Sequence, residues 1–346
     1  MYRIEISSRV LHFINPAGTS RGTYTTRHSF YVTLSSDAKP GVEGVGECAA
    51  LLDLSCDAMP ADVYERTLRT FCDAFERTGQ IDYEAMRPYP SMLFGLETAL
   101  AQYNAGGSLN LFDTPFGRGE EGIPINGLVW MGSFEEMYAR LEEKMQQGFR
   151  CVKLKIGAID FDKELELIRH IRTHFTKEEV ELRVDANGAF SPDEAMKRLE
   201  ALAEYEIHSI EQPIRQHQWA EMSRLCAHSP LPIALDEELI GVNTRKEKTE
   251  LLKTIRPQYI ILKPSLHGGM AGTEEWISLA RERNIGSWIT SALESNVGLN
   301  AVAQLTAKIY GPNVQMAQGL GTGQLFSDNI KMPLTIKGDK LFALWM

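Results

Sequence analysis

Polar and apolar residues alternate along Tyr2–Phe13 and again along Ser29–Ser35, the period-two pattern of strands. Between them, Asn15–His28 is polar and contains glycine, which predicts a mobile loop. Gly41–Glu47 reads as a turn into a third strand, and a second loop follows at Cys48–Asp57. The period then lengthens. Val63, Leu68, Phe71, Cys72 and Phe75 make Asp62–Thr78 a helix, and a second helix over Ser91–Asn104 stops at Gly106-Gly107. Residues 1–115 therefore read as an α+β domain with two long loops, which are more often lids or binding elements than filler.

Beyond Gly122 short apolar strands alternate with helices. Strands are expected at Ile123–Val129, at Cys151–Gly157, and at Glu181–Ala186, Ile207–Glu211, Ile233–Asp236, Tyr259–Lys263 and Ser287–Ser291, with a short one at Val314–Gln318. Ser133 with Glu136, and Ser191 with Pro192 and Glu194, mark two helix starts. Eight strands alternating with helices predict an α/β fold, a (β/α)8 TIM-type barrel over residues 116–325.

In Cys151-Val152-Lys153-Leu154-Lys155-Ile156-Gly157 the apolar residues take one face and two lysines the other. Paired ammonium groups on an inner face need acids or a metal site opposite them. Those acids recur downstream. Lys155, Asp185, Glu211, Asp236 and Lys263 end successive strands, 30, 26, 25 and 27 positions apart, each preceded by an apolar residue. That spacing is one βα repeat, so all five point inward at the carboxyl rim, where barrel active sites lie. Three carboxylates on adjacent strands converge on a hard cation. Oxygen ligands without His or Cys suit Mg²⁺, with Mn²⁺ as a substitute. Positive charge from Lys153 and a metal would lower the Lys155 pKa toward that of a general base. The matching chemistry is proton abstraction beside a substrate carboxylate, with Mg²⁺ holding the ene-diolate.

Composition narrows the partners. A net charge of −10 excludes the basic surface that nucleic acid requires, while local lysines and a metal still allow a small anionic carboxylate substrate. Five scattered cysteines without C-x-x-C suit reduced thiols in the cytoplasm. No apolar run is long enough for a membrane span. His170 and His174 lack the Glu of a zinc helix, and Gly319–Gly323 lacks the Lys-Ser/Thr of a phosphate loop, so both read as structural.

Lys153-Leu154-Lys155, Asp185-Ala186-Asn187-Gly188, Glu211-Gln212-Pro213, Asp236-Glu237 and Lys263-Pro264 together resemble the enolase superfamily in its muconate-lactonising-enzyme-like branch. The resemblance implies a modified (β/α)8 barrel under a capping domain at residues 1–115, with residues 326–346 returning to that cap. It implies Asp185, Glu211 and Asp236 as metal ligands, Lys155 as base, Lys153 on the substrate carboxylate and Lys263 on the opposite face. Ser291-Ala292-Leu293-Glu294-Ser295-Asn296-Val297-Gly298 resembles the S-x-L-E-S-x-x-G segment of the family's o-succinylbenzoate synthases. Dipeptide epimerases of this branch carry Asp-x-Asp at the eighth strand end, whereas here Gln318–Gly323 has no acid. The implied reaction is syn dehydration of a hydroxy-cyclohexadiene carboxylate bearing a succinyl arm, with Ser291, Thr322 and Asn187 as substrate contacts. An epimerase or N-acyl amino acid racemase on the same scaffold is the alternative, and a non-catalytic barrel is the rival from another class.

Overall fold

The computed structural model describes residues 1–19 and 22–344. Strands β1 (Tyr2–Thr19), β2 (Gly22–Ser36) and β3 (Glu43–Cys48) form an antiparallel sheet in that order. The expected loop at Asn15–His28 is thus a correction: apart from residues 20 and 21, which lie outside the described residues, it continues the β1–β2 hairpin. Pairing slips between His12 and Ala17, then resumes with Ala17 opposite Tyr24. Such an irregularity destroys the alternation by which a strand is recognised.

Helices α1 (Ala61–Thr78), α2 (Tyr83–Met86) and α3 (Pro90–Asn104) complete the cap. Helix α3 is buried on nearly every side, lying between β3 and the barrel. Glycines set that approach. A Cβ on Gly46 would stand 1.8 Å from the Gly95 carbonyl oxygen, and one on Gly44 1.9 Å from that of Ala99. Only backbone fits there, which explains the Gly-x-Gly pair, Gly44 and Gly46, in β3.

The expected strand Ile123–Val129 is two elements. β4 (Ile123–Pro124) pairs outward, and β5 (Gly127–Val129) opens the barrel. A parallel sheet follows through β6 (Cys151–Lys155), β7 (Glu181–Asp185), β8 (Ser209–Glu211), β9 (Ile233–Leu235), β10 (Tyr259–Leu262) and β11 (Gly286–Ile289). Its helices are α4 (Phe134–Gln146), α5 (Phe161–His174), α6 (Pro192–Ala203), α7 (Trp219–His228), α8 (Arg245–Ile255), α9 (Gly269–Arg281) and α10 (Asn296–Tyr310). Val314–Gln318 does not form the eighth strand. The ring closes through single bridges, Ile125 with Gln318 and Thr290 with Gly319. This is a modified TIM barrel under an antiparallel cap.

The tail divides. Phe326 bridges Phe13, and the Asp328 carboxylate accepts from His12, all on the cap hairpin. β12 (Leu334–Lys337) and β13 (Lys340–Ala343) then pair with β4 instead. Main core residues from every barrel strand fill the space between sheet and helices.

Two cap carboxylates plug helix starts in the barrel. Glu47 accepts from the Ser295 and Gly298 amides, each at 2.9 Å, at the head of α10. Glu97 accepts from the Met270 and Ala271 amides at the head of α9. Burial pushes Glu97 from its ordinary 4.5 up to about 8 despite these donors. An acid whose pKa is higher folded than unfolded holds a proton that the open chain has released, so stability falls as pH rises from about 4.5 to about 8. Urea midpoints should therefore decline across this window by more in the parent than in Glu97→Gln. Parallel slopes would refute the assignment.

Candidate active site

The sheet register places the site. Lys155 stands beside Asp185 on β6 and β7, and Asp185 beside Glu211 on β7 and β8. Asp236 follows β9 and Lys263 follows β10, at the same rim. Val184, Ile210, Leu235 and Leu262 are fully buried toward the helices, so the charged neighbours turn inward as their parity requires.

Asp185 is the hub. Its Oδ2 receives Lys153 Nζ at 2.8 Å and Lys155 Nζ at 2.9 Å, and its Oδ1 receives the Asn187 amide at 3.0 Å. Lys153 also reaches Glu211 Oε2, and Lys263 donates to Asp236 Oδ2. The positive charge expected beside Lys155 is present, since both lysines share one carboxylate oxygen. Burial alone would strip these groups of charge. Against that penalty, the Asp185 carboxylate holds the Lys153 proton above the usual lysine range, and Asp236 does the same for Lys263. Asp185 is buried too, yet the two lysines draw it well below the usual carboxylate range, and Lys263 helps bring Asp236 down to about 2. Glu211 goes the other way: burial and the neighbouring Asp185 charge raise it strongly.

The rim fits a hard cation by its donors. Glu211 Oε1 and Asp236 Oδ1 are buried without a hydrogen-bond partner, and both belong to the three inward carboxylates. Such oxygens are costly to bury uncompensated. Among the described residues no three acidic, imidazole or thiol groups are gathered tightly enough to enclose an ion. The Lys153 ammonium group bridges Asp185 and Glu211, and that of Lys263 sits on Asp236.

Ser291 and Thr322 join through their hydroxyls at 2.6 Å and line a cavity of about 860 Å³, together with Lys153, Lys155 and Lys263. Tyr24, Leu51 and Leu54 close it from the cap, where the Tyr24 hydroxyl donates to Asp53. Asn187, expected on the substrate, makes two contacts within the rim: its Oδ1 accepts from Lys155 Nζ at 2.8 Å and its Nδ2 donates to Glu237 Oε1 at 2.9 Å. It orients the amine. Its positive φ of 44° explains why an asparagine serves there.

Glu164 had no signal in the sequence beyond its place in a helical first turn. One of its oxygens accepts from the Gly157, Ala158 and Ile159 amides, which pins the chain leaving Lys155. His267 is buried and drawn down to about 3 by that burial, with its Nδ1 accepting from the Lys263 amide. It supports the lysine strand end as a neutral ring. His170 and His174 lie on α5 away from the rim, His170 contacting Glu142.

Residues 136–339 match the family described as enolase C-terminal domain-like. The chain is 47% identical to an o-succinylbenzoate synthase from Desulfotalea psychrophila over 96% of each protein. It superposes on a crystal structure of MenC from the same organism with a TM-score of 0.83, at 42% identity over 99% of each chain. An L-Ala-D/L-Glu epimerase from Bacillus subtilis is 27% identical over 88% of this chain and 84% of its own.

Proposed function

Because the chain belongs to the enolase superfamily, its rim is read within that family's chemistry, and we propose that it acts as an o-succinylbenzoate synthase, a lyase of menaquinone biosynthesis. The observation that carries this reading is the 47% identity over 96% of the chain, a match long enough to span cap and barrel alike. The eighth-strand region agrees. Gln318 spends its side chain on the Ile289 amide and the Met316 carbonyl, leaving no acid to meet a substrate ammonium group. That feature disfavours the epimerase or racemase alternative.

The substrate is 2-succinyl-6-hydroxy-2,4-cyclohexadiene-1-carboxylate, a small anion entering a cavity whose floor carries three lysines. Lys155 Nζ takes the proton from the carbon that bears the ring carboxylate. Lys153, held protonated, meets the developing negative charge on that carboxylate. The Lys155 ammonium then returns its proton to the departing hydroxyl on the same face, so one water leaves and the ring becomes aromatic. Lys263 faces the intermediate as a cation and transfers no proton. Asp185, Glu211 and Asp236 would hold Mg²⁺ (or Mn²⁺), which when bound supplies positive charge to the carboxylate oxygens. The Ser291–Thr322 hydroxyl pair addresses the succinyl arm. In this reading residues 1–115 cap the site, 116–325 supply the chemistry and 326–346 tie the two together. The enzyme is assigned to the cytoplasm, in keeping with its five free thiols; none of its described helices is long and apolar enough to cross a membrane.

The test is ultraviolet loss of the cyclohexadiene with Mg²⁺ present. Absence of turnover would end the synthase reading. In D₂O, an N-succinyl amino acid should keep its α-proton, and rapid exchange would favour the racemase instead.

A further inference from the structure

Arg27 lies on β2 of the cap, 100 positions before the first barrel strand at Gly127, yet its guanidinium is buried at the cap–barrel seam. It donates to three main-chain carbonyls on two separate segments: Nη1 to Ala50 at 2.6 Å, Nη2 to Ala49, and Nε to Leu293 at 3.3 Å. Ala49 and Ala50 begin the loop after β3. Leu293 follows β11, beyond Ser291. Glu47 and Glu294 lie close enough to favour its charge, but their oxygens are engaged: Glu47 with Ser29, Ser295 and Gly298, and Glu294 with Ser265 and Ala292.

Leu293 is held with φ at +65°, a conformation a branched aliphatic residue avoids. Its amide donates to Ser291 Oγ and its side chain lines the cavity. Across from it, Leu51 and Leu54 line the same cavity, and Leu51 packs with Ala292 and Leu266 while Tyr24 and Leu54 lean on that cluster. One side chain thus ties together the hairpin, the capping loop and the strand end that form an apolar part of the cavity wall. A planar fork places donors on three separate nitrogens and reaches carbonyls on diverging segments at once, whereas a lysine offers its three from a single atom.

We propose that Arg27 is a positioning residue that sets the apolar wall of the substrate cavity, acting on binding of the substrate's succinyl arm rather than on proton transfer. The clamp itself follows from geometry; naming the arm rests on the synthase reading. A residue that shapes the remote wall affects substrate binding before chemistry.

The experiment compares Arg27→Met and Arg27→Lys with the parent in two ways: steady-state kinetics with the cyclohexadiene substrate, and amide hydrogen exchange without substrate. We expect Arg27→Met to raise KM about tenfold or more while kcat stays within about threefold, with Arg27→Lys in between. Exchange in residues 49–57 should quicken in Arg27→Met while residues 181–185 stay protected. Parental KM in both variants overturns the proposal, and so does a fall in kcat at constant KM. If Arg27→Met does not fold, Arg27→Lys decides, and parental KM with parental exchange in it counts against the clamp. If the unaltered enzyme fails to consume the diene, the synthase reading falls, and the exchange comparison alone judges Arg27.

Discussion

Lys155→Ala is expected to lower kcat by about 10⁴-fold while leaving the protein folded, the scale for removing a positioned base. The fold should survive because Asp185 keeps two partners, Lys153 Nζ at 2.8 Å and the Asn187 amide at 3.0 Å. The charge left at the hub is therefore still met. Lys155→Arg separates charge from proton transfer. A guanidinium can restore the contact with Asp185, but it stays protonated and cannot accept the substrate's proton. It should be as inactive as alanine. Lys263→Ala removes only a stabilising cation, and a loss of about 10²- to 10³-fold is expected. Turnover followed at 25 °C with saturating substrate and Mg²⁺ orders the three. If Lys263→Ala kept full activity and Lys155→Ala were no worse, the division of labour would be wrong.

The charged ladder was legible because a barrel repeats. Each βα unit restarts the chain at the opposite pole and returns it to the same rim, so residues about 25–30 apart become neighbours without any knowledge of loops. Lys155, Asp185 and Glu211 are accordingly side by side in the sheet register. What escaped depended on local irregularity or distant partners. The hairpin arm hid behind the pairing slip between His12 and Ala17. The eighth strand dissolved into two bridges at Gln318 and Gly319, where its short apolar run had suggested a strand. Asn187 was placed at the right rim, but the direction of its amide is set by Lys155 and Glu237, 32 and 50 positions away. Arg27 meets a carbonyl 266 residues distant, and no periodicity records such a contact. Backbone course follows from patterns of one residue with its near neighbours; the aim of a polar side chain does not.

Glu211→Gln should abolish activity and reverse the order of stability with metal. Glu211 bears the conflict at the rim: it is buried, its Oε1 lacks a partner, and burial together with Asp185 drives it strongly toward the protonated form. Without a cation a carboxylate there is a liability, so a neutral amide of the same shape should be tolerated or preferred. In excess EDTA the variant is expected to melt at or above the parent. Adding Mg²⁺ changes the sign. An ion bound only by the folded parent adds about 2.7 kcal/mol at a hundredfold excess over its Kd, a rise of several degrees for a chain of this size. The variant, short of one ligand charge, should gain little, and its kcat should fall by about 10³-fold or more. The crossing of the two melting curves is the diagnostic feature, because a simple loss of packing would lower the variant in both buffers. If Mg²⁺ raised both proteins equally, the cation would be binding elsewhere, and the three inward carboxylates would need another explanation.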